Sequence, residues 1–560
     1  MLYLSKFPFK TQKTAPKTSD NKSTSILLQA WFIRQVMAWV YTYTTLWLKV
    51  LKKIEQIVRE EMNNYWAFET LMPSLSPREV WEKTGRWNSI DVMFHVPAAN
   101  NKEYALNSTH EEIITPLLWE FIKSYKDLPI CAYQIQNKFR NEKRAKSWLL
   151  RWREFIMKDA YSFHADNEEF MQYYEWMKQV YMNVFTKLWI AKDIYIAQAD
   201  WWTFTEKYSH EFQIKLDIWE DVIFLDPKSK ECFNKEVTPC TIPSPNISDD
   251  KLLERQDIEA IWIIWVEALT KAFWVAAEKS TKTMMFETDE NKFIVASVRW
   301  DYDINTLKLQ KIIWCKSLRL ASIDKVKEMT SAEIGYAWIY NLPDNIELYI
   351  DDSAMWLTNF ETWTNKTWYH SINVNFWRDL PIPERFYDFK EAKVWDKNPK
   401  TWEVYEVFKA SEVGNIFPLE TKFSSAFNVT FLDENNKSKT PLMWCYGIWV
   451  SRLMWVTAEY FLDEVWIAWP EQIAPFKYYF VIIWEENIDK WLKLSNILNT
   501  NSDDVIIDDR TNVWFGQKMS DAELIWIPNI IIISPKTLEK GWYEIKKRWS
   551  KENELVQFNF

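Results

Sequence analysis

Glycine is nearly missing from this chain: there are six in 560 residues, where ordinary usage of about 7% would supply roughly 39. A folded protein of this length needs glycine at turns, at helix ends and where two backbones approach closely, because φ is positive there or a Cβ has no room. Tryptophan, normally among the rarest residues, numbers 37, and the two residues together come to about what both ordinarily supply. The composition therefore predicts that most of the tryptophans stand for glycine. Some bacterial lineages read the codon UGA as glycine, and translation with a table that reads it as tryptophan writes this pattern. Local context agrees. Trp300 in VRWDYD follows a β-rich run, Trp402 in PKTWEVYEVF sits where a hairpin turns, Trp201 and Trp202 form a doublet, and Trp314 ends the helical pattern KLQKIIW.

Other scarcities exclude whole classes. The five cysteines, Cys131, Cys232, Cys240, Cys315 and Cys445, are far apart with no CxxC pair, which fits a reducing cytoplasm and no structural zinc. Basic charge is not in excess: the formal net charge is −10, so no global field draws in nucleic acid, and an RNA partner needs local patches. No apolar run is long enough for a transmembrane helix. The first 24 residues are polar and lysine-bearing without an apolar core, and read as a flexible arm rather than a signal peptide.

What is present is enough for several domains. An amphipathic helix is predicted from Leu48 to Asn64, with Leu51, Ile54, Val58 and Met62 on one stripe, ending at Tyr65-Trp66 before a strand-like run from Ala67 to Met72. A separable block follows residue 240, opened by TPCTIPSPNISDD and closed by KVWDKNPKTWEVYE. The last ninety or so residues alternate helix with FVIIW, DDVIIDD and IPNIIIIS, which are buried-strand candidates of a small α/β module.

The densest chemistry lies in KFRNEKRAKSWLLRWREF, Lys138 to Phe155, with seven basic residues between Lys138 and Arg153. This could be a plain basic hairpin for phosphates. A sharper reading puts Arg140 and Glu142 on one strand face, with Arg153-Glu154-Phe155 opening the return strand. A planar Arg fork suits an α-phosphate, a carboxylate accepts the adenine amino group, and a Phe stacks on the base. The segment resembles motif 2 of class II aminoacyl-tRNA synthetases. NSTHEEIITPL, SYKDLP, YQIQNKFRNE, REFIMKDAYSFHAD and MWCYGIWVSRL then follow the order of the bacterial-type prolyl-tRNA synthetases, and the resemblance covers essentially the whole chain. Trp31, Trp39, Trp66, Trp148, Trp338, Trp444, Trp449, Trp466 and Trp526 fall where that family has glycine; Trp81, Trp87 and Trp469 fall where it has tryptophan.

The resemblance implies the following roles. AFETLMP, ending at Pro73, matches motif 1 and a homodimer interface. Arg140, Glu142, Arg151 and Phe155 match ATP contacts of motif 2, and Arg452 the motif 3 arginine, so that Arg140 and Arg452 are the catalytic pair. Thr109 and Glu111 match the hydroxyl and carboxylate that hold the proline imino group, and His210 in YSHEF lines the amino-acid side of the pocket. Magnesium (Mg2+) accompanies ATP. An inserted block resembles the editing domain that deacylates Ala-tRNA(Pro), with Lys279, Gly335, Asp351 and His370 on its functional positions, although Ile339 stands where its loop usually has proline. A pocket for proline excludes the smaller alanine by only about 1–3 kcal/mol per missing group, so a second, hydrolytic sieve has a physical purpose. The C-terminal module resembles the anticodon-binding domain of this class, with Lys518 and the basic turn Lys546, Lys547 and Arg548 as RNA candidates.

The expected architecture is an α+β and α/β multidomain chain. A class II antiparallel-sheet catalytic domain spans 1–224 and 406–471, an inserted α/β editing domain 225–405, and an α/β anticodon-binding domain 472–560. The expected activity is cytoplasmic ligation of proline to tRNA(Pro) at the expense of ATP, with no membrane or DNA partner. The alternatives are a catalytically inactive tRNA-binding paralogue and another class II member such as the threonyl enzyme. The threonyl enzyme needs a zinc-ligand Cys/His set that is not found here.

Overall fold

The computed structural model describes residues 1–560 apart from 9, 13, 15–20, 38–39, 143–151, 201–208, 219, 242–250, 262, 264–267, 269–274, 316, 334–335, 338, 340–341, 343–345, 381, 464–466, 484–501, 548–551 and 558–560. It divides into two compact units, residues 1–196, 201–220 and 409–560, and residues 197–200 and 221–408.

In the first unit, an antiparallel sheet runs Ser209–Lys215, Glu406–Glu420, Leu442–Ile448, Glu154–His164 and Ile130–Phe139, with Phe68–Glu69 added in parallel at the edge. The helices Thr45–Asn64, Asn167–Lys187 and Val450–Tyr460 share its apolar core. The amphipathic stripe has the expected consequence: Leu51, Ile54, Val58 and Met62 are all buried. The following strand is shorter than predicted, only Phe68–Glu69, because Thr70 and Met72 bond instead to Tyr133 O and the Gln134 side chain.

Helix ends explain many of the tryptophans. Trp66 has φ 61°, and Ala67 N–H donates back to Met62 O, which is the Schellman closure normally built on glycine. Trp31, Trp189 and Trp314 repeat it, with φ near 60° and Phe32 N–H donating to Leu27 O, Ile190 N–H to Phe185 O and Cys315 N–H to Gln310 O. Trp526 caps Phe515–Ile525 with φ 60°. A left-handed L-residue costs roughly 1–2 kcal/mol relative to glycine. Trp368, Trp377 and Trp402 are left-handed as well, whereas Trp81, Trp87 and Trp469 are not and lie buried. Trp300 sits in a turn but is not among the left-handed residues.

A second sheet in this unit runs Leu2–Tyr3, Val505–Asp508, Tyr478–Ile482, Asn529–Ile533, Trp542–Lys547 and Glu554–Gln557. Its first three pairings are parallel and the last two antiparallel. The expectation of a flexible N-terminal arm is corrected here. Leu2 and Tyr3 pair with Ile506 and Ile507, Ser5 N–H donates to Asp509 Oδ1 at 2.8 Å, Thr11 Oγ1 to Asp521 Oδ1 at 2.5 Å, and Lys22–Gln29 is a helix. The open edge of Val505–Asp508 offers unpaired backbone groups that the arm satisfies.

The second unit holds a four-stranded sheet, ordered Leu318–Leu320, Thr281–Thr288, Phe293–Arg299 and Glu347–Ile350, and a three-stranded one, ordered Gln256–Glu259, Tyr369–Val374 and Phe360–Trp363. Ser280 and Glu361 bridge between them. No helix among the described residues is long and apolar enough to cross a membrane.

Candidate active site

The hairpin Ile130–Phe139 and Glu154–His164 sets Lys138 opposite Phe155 and Phe139 opposite Glu154. Arg140 and Glu142 follow the strand rather than sharing its face. Arg140 N–H extends the ladder by one bond to Arg153 O at 2.9 Å, after which the chain leaves for the tip. That tip, with Arg151, lies outside the described residues.

Phe155 is buried, and its ring stacks on the indole of Trp449 with centroids 4.8 Å apart and planes at 27°. The guanidinium of Arg140 lies 4.8 Å from the Trp449 ring and 5.2 Å from Phe155, and that of Arg452 lies 4.1 Å from Trp449. The three side chains that the resemblance assigns to ATP, Phe155, Arg140 and Arg452, therefore converge on one indole. Arg452, on the helix Val450–Tyr460, donates from Nη1 to Glu412 O at 2.9 Å and faces Glu220 at 3.2 Å. On the neighbouring strand, a Cβ on Gly447 would come within 2.5 Å of Asn415 Oδ1 and of Met157 Cε, so both side chains would have to shift to admit it. Trp444 is buried between the rings of Phe170 and Tyr174, at 4.3 and 5.0 Å, and its Nε1–H donates to Phe170 O.

Thr109 and Glu111 come together at the start of the helix Glu111–Trp119. Thr109 Oγ1 donates to Glu111 Oε2, and Arg86 Nη1 reaches that oxygen at 3.2 Å and Glu112 Oε1 at 2.9 Å. Glu111 is fully buried, yet its Oε1 has no hydrogen-bond partner. A buried, unpaired carboxylate oxygen costs free energy until a donor arrives. Burial also pushes the Glu112 carboxyl above its usual range, against the pull of Arg86.

The adjoining His110 is buried, its Nε2 3.1 Å from Pro73 O. Burial, with Lys138 adding, pushes its pKa down to about 4. His210, on the strand Ser209–Lys215, sits with Nδ1 2.6 Å from the Tyr174 hydroxyl. Burial and Lys178 likewise push it down to about 4.

In the second unit, Lys279 is half-buried at the end of a short turn, one residue before Ser280. His370 is fully buried on Tyr369–Val374, its Nδ1 2.5 Å from Glu361 Oε1. Asp351 is buried with both oxygens engaged by backbone, Ser353 N–H at 2.9 Å and Phe389 N–H at 2.7 Å. Beside it, Asp352 and Asp388 form an acidic cluster, into which the buried Lys390 ammonium inserts. Gly335 and Trp338 lie outside the described residues.

Lys518 departs from expectation. It lies on the helix Phe515–Ile525, but its ammonium is buried and donates to Ile482 O at 2.8 Å and Asp508 O at 3.1 Å, closing the ends of two parallel strands. Periodicity does not tell which face of a helix a lysine takes. In the basic turn, Lys546 pairs with Glu523 and Lys547 with Glu554, and Arg548 lies outside the described residues.

Sequence reasoning missed Arg86, Glu220 and Glu412, which hold Glu111 and Arg452 in place. Nothing local marks them, because each partner comes from a distant segment.

Comparisons with known proteins bear on the same residues. The tRNA synthetase class II core domain (G, H, P, S and T) matches residues 94–461, and an anticodon binding domain matches 478–560. The proline-tRNA ligases of Bacillus cytotoxicus and Bacillus mycoides are each 35% identical over 556 residues, covering 98% of this chain and 96% of theirs. In fold, the chain is similar to a prolyl-tRNA synthetase from Cryptosporidium parvum complexed with halofuginone and AMPPNP, at a TM-score of 0.56 and 12% identity, covering 96% of this chain and 72% of that one. A prolyl-tRNA synthetase from Giardia lamblia in complex with prolyl-adenylate gives 0.56 and 13%, covering 95% and 74%. The chain belongs to the class II aminoacyl-tRNA synthetases, within the family of the proline-tRNA ligases.

Proposed function

We propose that the chain activates proline with ATP and transfers it to tRNA(Pro), through the site built by Thr109, Glu111, Arg140, Phe155 and Arg452. The observation that carries this reading is the unpaired Oε1 of the buried Glu111 beside Thr109. A secondary ammonium brings two N–H donors and one positive charge, which one hydroxyl and one carboxylate satisfy. The proline carboxylate then attacks the α-phosphorus in line, and pyrophosphate leaves as Arg140 and Arg452 spread the developing negative charge. The terminal ribose hydroxyl of tRNA attacks the adenylate carbonyl, and AMP leaves. No side-chain nucleophile is required, because positioning and electrostatics carry the rate.

Glu412 and the Asn415 side-chain oxygen, which has no hydrogen-bond partner, are hard donors of the kind magnesium takes. Such an ion, when bound, neutralises phosphate charge. The RNA partner is met by the domain at 478–560, with the strand and turn at Lys546 and Lys547 as its basic candidates. Exposed Phe68 and Leu71 in motif 1 support a homodimer. The second unit, with Lys279 and His370, is read as a hydrolytic editing domain for Ala-tRNA(Pro), and the chain as cytoplasmic.

The working protein on this reading carries glycine at most Trp positions. The left-handed tryptophans at helix ends and the indole of Trp449 among the ATP-directed side chains support this. Two measurements test the proposal. Proline-dependent exchange of pyrophosphate into ATP is expected with the recoded chain, and its absence points to the inactive paralogue. The intact mass of the native protein is expected several kilodaltons below 67.7 kDa, and a match to that figure refutes the glycine reading.

A further inference from the structure

We propose that Tyr161 is a positioning residue for the amino-acid site, its hydroxyl holding the backbone of His110 and with it the turn that sets Thr109 against Glu111; this rests on the reading of that pair as the proline imino site. Tyr161 is fully buried on the strand Glu154–His164, between Ile130–Phe139 and Leu442–Ile448. The His110 N–H donates to its hydroxyl oxygen at 3.1 Å, and that hydroxyl donates to Asp159 Oδ2 at 2.9 Å. Both directions are forced. A backbone N–H can only donate, so the Tyr161 oxygen accepts from it and turns its own proton to the carboxylate. His110 Nδ1 stands 3.9 Å from the same Asp159 oxygen, beyond hydrogen-bond reach.

Two further observations separate this from a tyrosine that merely fills the core. First, the hydroxyl is anchored from behind. The Lys138 ammonium stands 2.6 Å from Asp159 Oδ1, and Gln134 Nε2 donates to Oδ2 at 3.1 Å, so the carboxylate that receives the Tyr161 proton is charged and fixed. A ring needed only for packing would not require a buried ion pair at its tip. Second, the other ties on this segment lie elsewhere. Asn107 N–H donates to Ser74 O at 2.8 Å and its side chain to Pro73 O at 2.9 Å, and the His110 ring meets Pro73 O. His110 gives the helix Glu111–Trp119 no side-chain cap. The backbone between Thr109 and Glu111 is therefore held by Tyr161. The Tyr161 ring belongs to the same buried cluster as Ile114 and Leu118 of that helix, so loss of the hydroxyl alone leaves the packing in place.

The test uses the full-length recoded chain and its variant Tyr161→Phe, in proline-dependent pyrophosphate exchange and in hydrogen–deuterium exchange of the His110 amide. Tyr161→Phe is expected to raise the KM for proline about tenfold while the KM for ATP stays within about threefold, which also shows that the catalytic domain folds. The His110 amide, left without its acceptor, is expected to exchange at least about tenfold faster. A KM for proline within about threefold of wild type, equal rises for both substrates, or a His110 amide as protected as before overturns the positioning role. A wild type with no proline-dependent exchange overturns the proline reading itself, and the assigned role falls with it.

Discussion

The indole of Trp449 stacks on Phe155 at 4.8 Å, and both Arg140 and Arg452 place their guanidinium groups over the same indole. An aromatic plane between a phenyl ring and two cations is the environment a purine would seek, and an indole already there competes with it. Its Nε1–H is buried without a partner, so the indole gains ring contacts but leaves a donor unsatisfied.

Replacing that residue therefore has a defined consequence. In a chain made with tryptophan as written, Trp449→Gly is expected to lower the KM for ATP in pyrophosphate exchange by at least tenfold, on the scale of about 1.4 kcal/mol per factor of ten. An unchanged KM would mean that the nucleotide binds elsewhere.

Glu111→Gln keeps the shape of the proposed proline pocket and removes its charge. Arg86 then loses part of its compensation, and a secondary ammonium loses its counter-charge. The KM for proline is expected to rise by at least about 150-fold, the lower end of the roughly 3–5 kcal/mol lost when one partner of a buried pair is removed. The KM for ATP should stay within a factor of about three. Equal effects on both substrates would place Glu111 outside the amino-acid pocket.

His110 and His210 predict a pH dependence. Both are held at about 4 in the folded protein, below the unfolded value of about 6.5. The unfolded chain therefore binds protons that the folded one refuses. Their contribution to stability is whole above pH 6.5 and is lost as pH falls from 6.5 toward 4, at about 1.4 kcal/mol per pH unit for each group. In solution, both imidazole resonances are expected to keep their neutral positions down to about pH 5. Titration of either near 6.5 contradicts its burial.

The proposed homodimer would pair through motif 1. Leu71 is 76% exposed and Phe68 63%, while the backbone between them is fixed by Thr70 N–H to Tyr133 O at 2.7 Å. Apolar side chains on a rigid edge suit a self-complementary interface. Leu71→Lys is expected to yield monomers by sedimentation at micromolar concentration, with folding intact. A dimer that survives Leu71→Lys and Phe68→Lys together moves the interface elsewhere.

What could be read from the sequence divides along a physical line. Local signals held: the stripe Leu51, Ile54, Val58 and Met62 gave the helix Thr45–Asn64, and Trp314 at the end of KLQKIIW is indeed left-handed. Asn529–Ile533 is a buried strand, as its apolar run implied. Thr109 and Glu111 meet because only His110 separates them in the chain. Arg86, which holds Glu111, was invisible because its role depends on a contact 25 residues away. The first residues looked like a free arm because their strand partner, Ile506, lies some five hundred residues on. Lys518 looked like an RNA contact because a lysine in a helix is normally solvated, whereas here two strand ends compete for its ammonium.

The tryptophans themselves give the most economical test, because two of them make opposite predictions. Trp66 is left-handed and 86% exposed, ending the helix Thr45–Asn64. Trp81 is fully buried, and its Nε1–H donates to Ser76 Oγ at 2.8 Å. In a chain made as written, Trp66→Gly removes a strained left-handed indole that packs on little, and is expected to stabilise by about 1 kcal/mol. Trp81→Gly opens a cavity and strips Ser76 of its donor, and is expected to destabilise by more than about 3 kcal/mol. Urea denaturation of the two variants reads the difference directly. If Trp66→Gly destabilised the chain as Trp81→Gly does, the indole at that helix end would be a native contact, and the reading of Trp66 as glycine would fail at the position where its geometry is clearest.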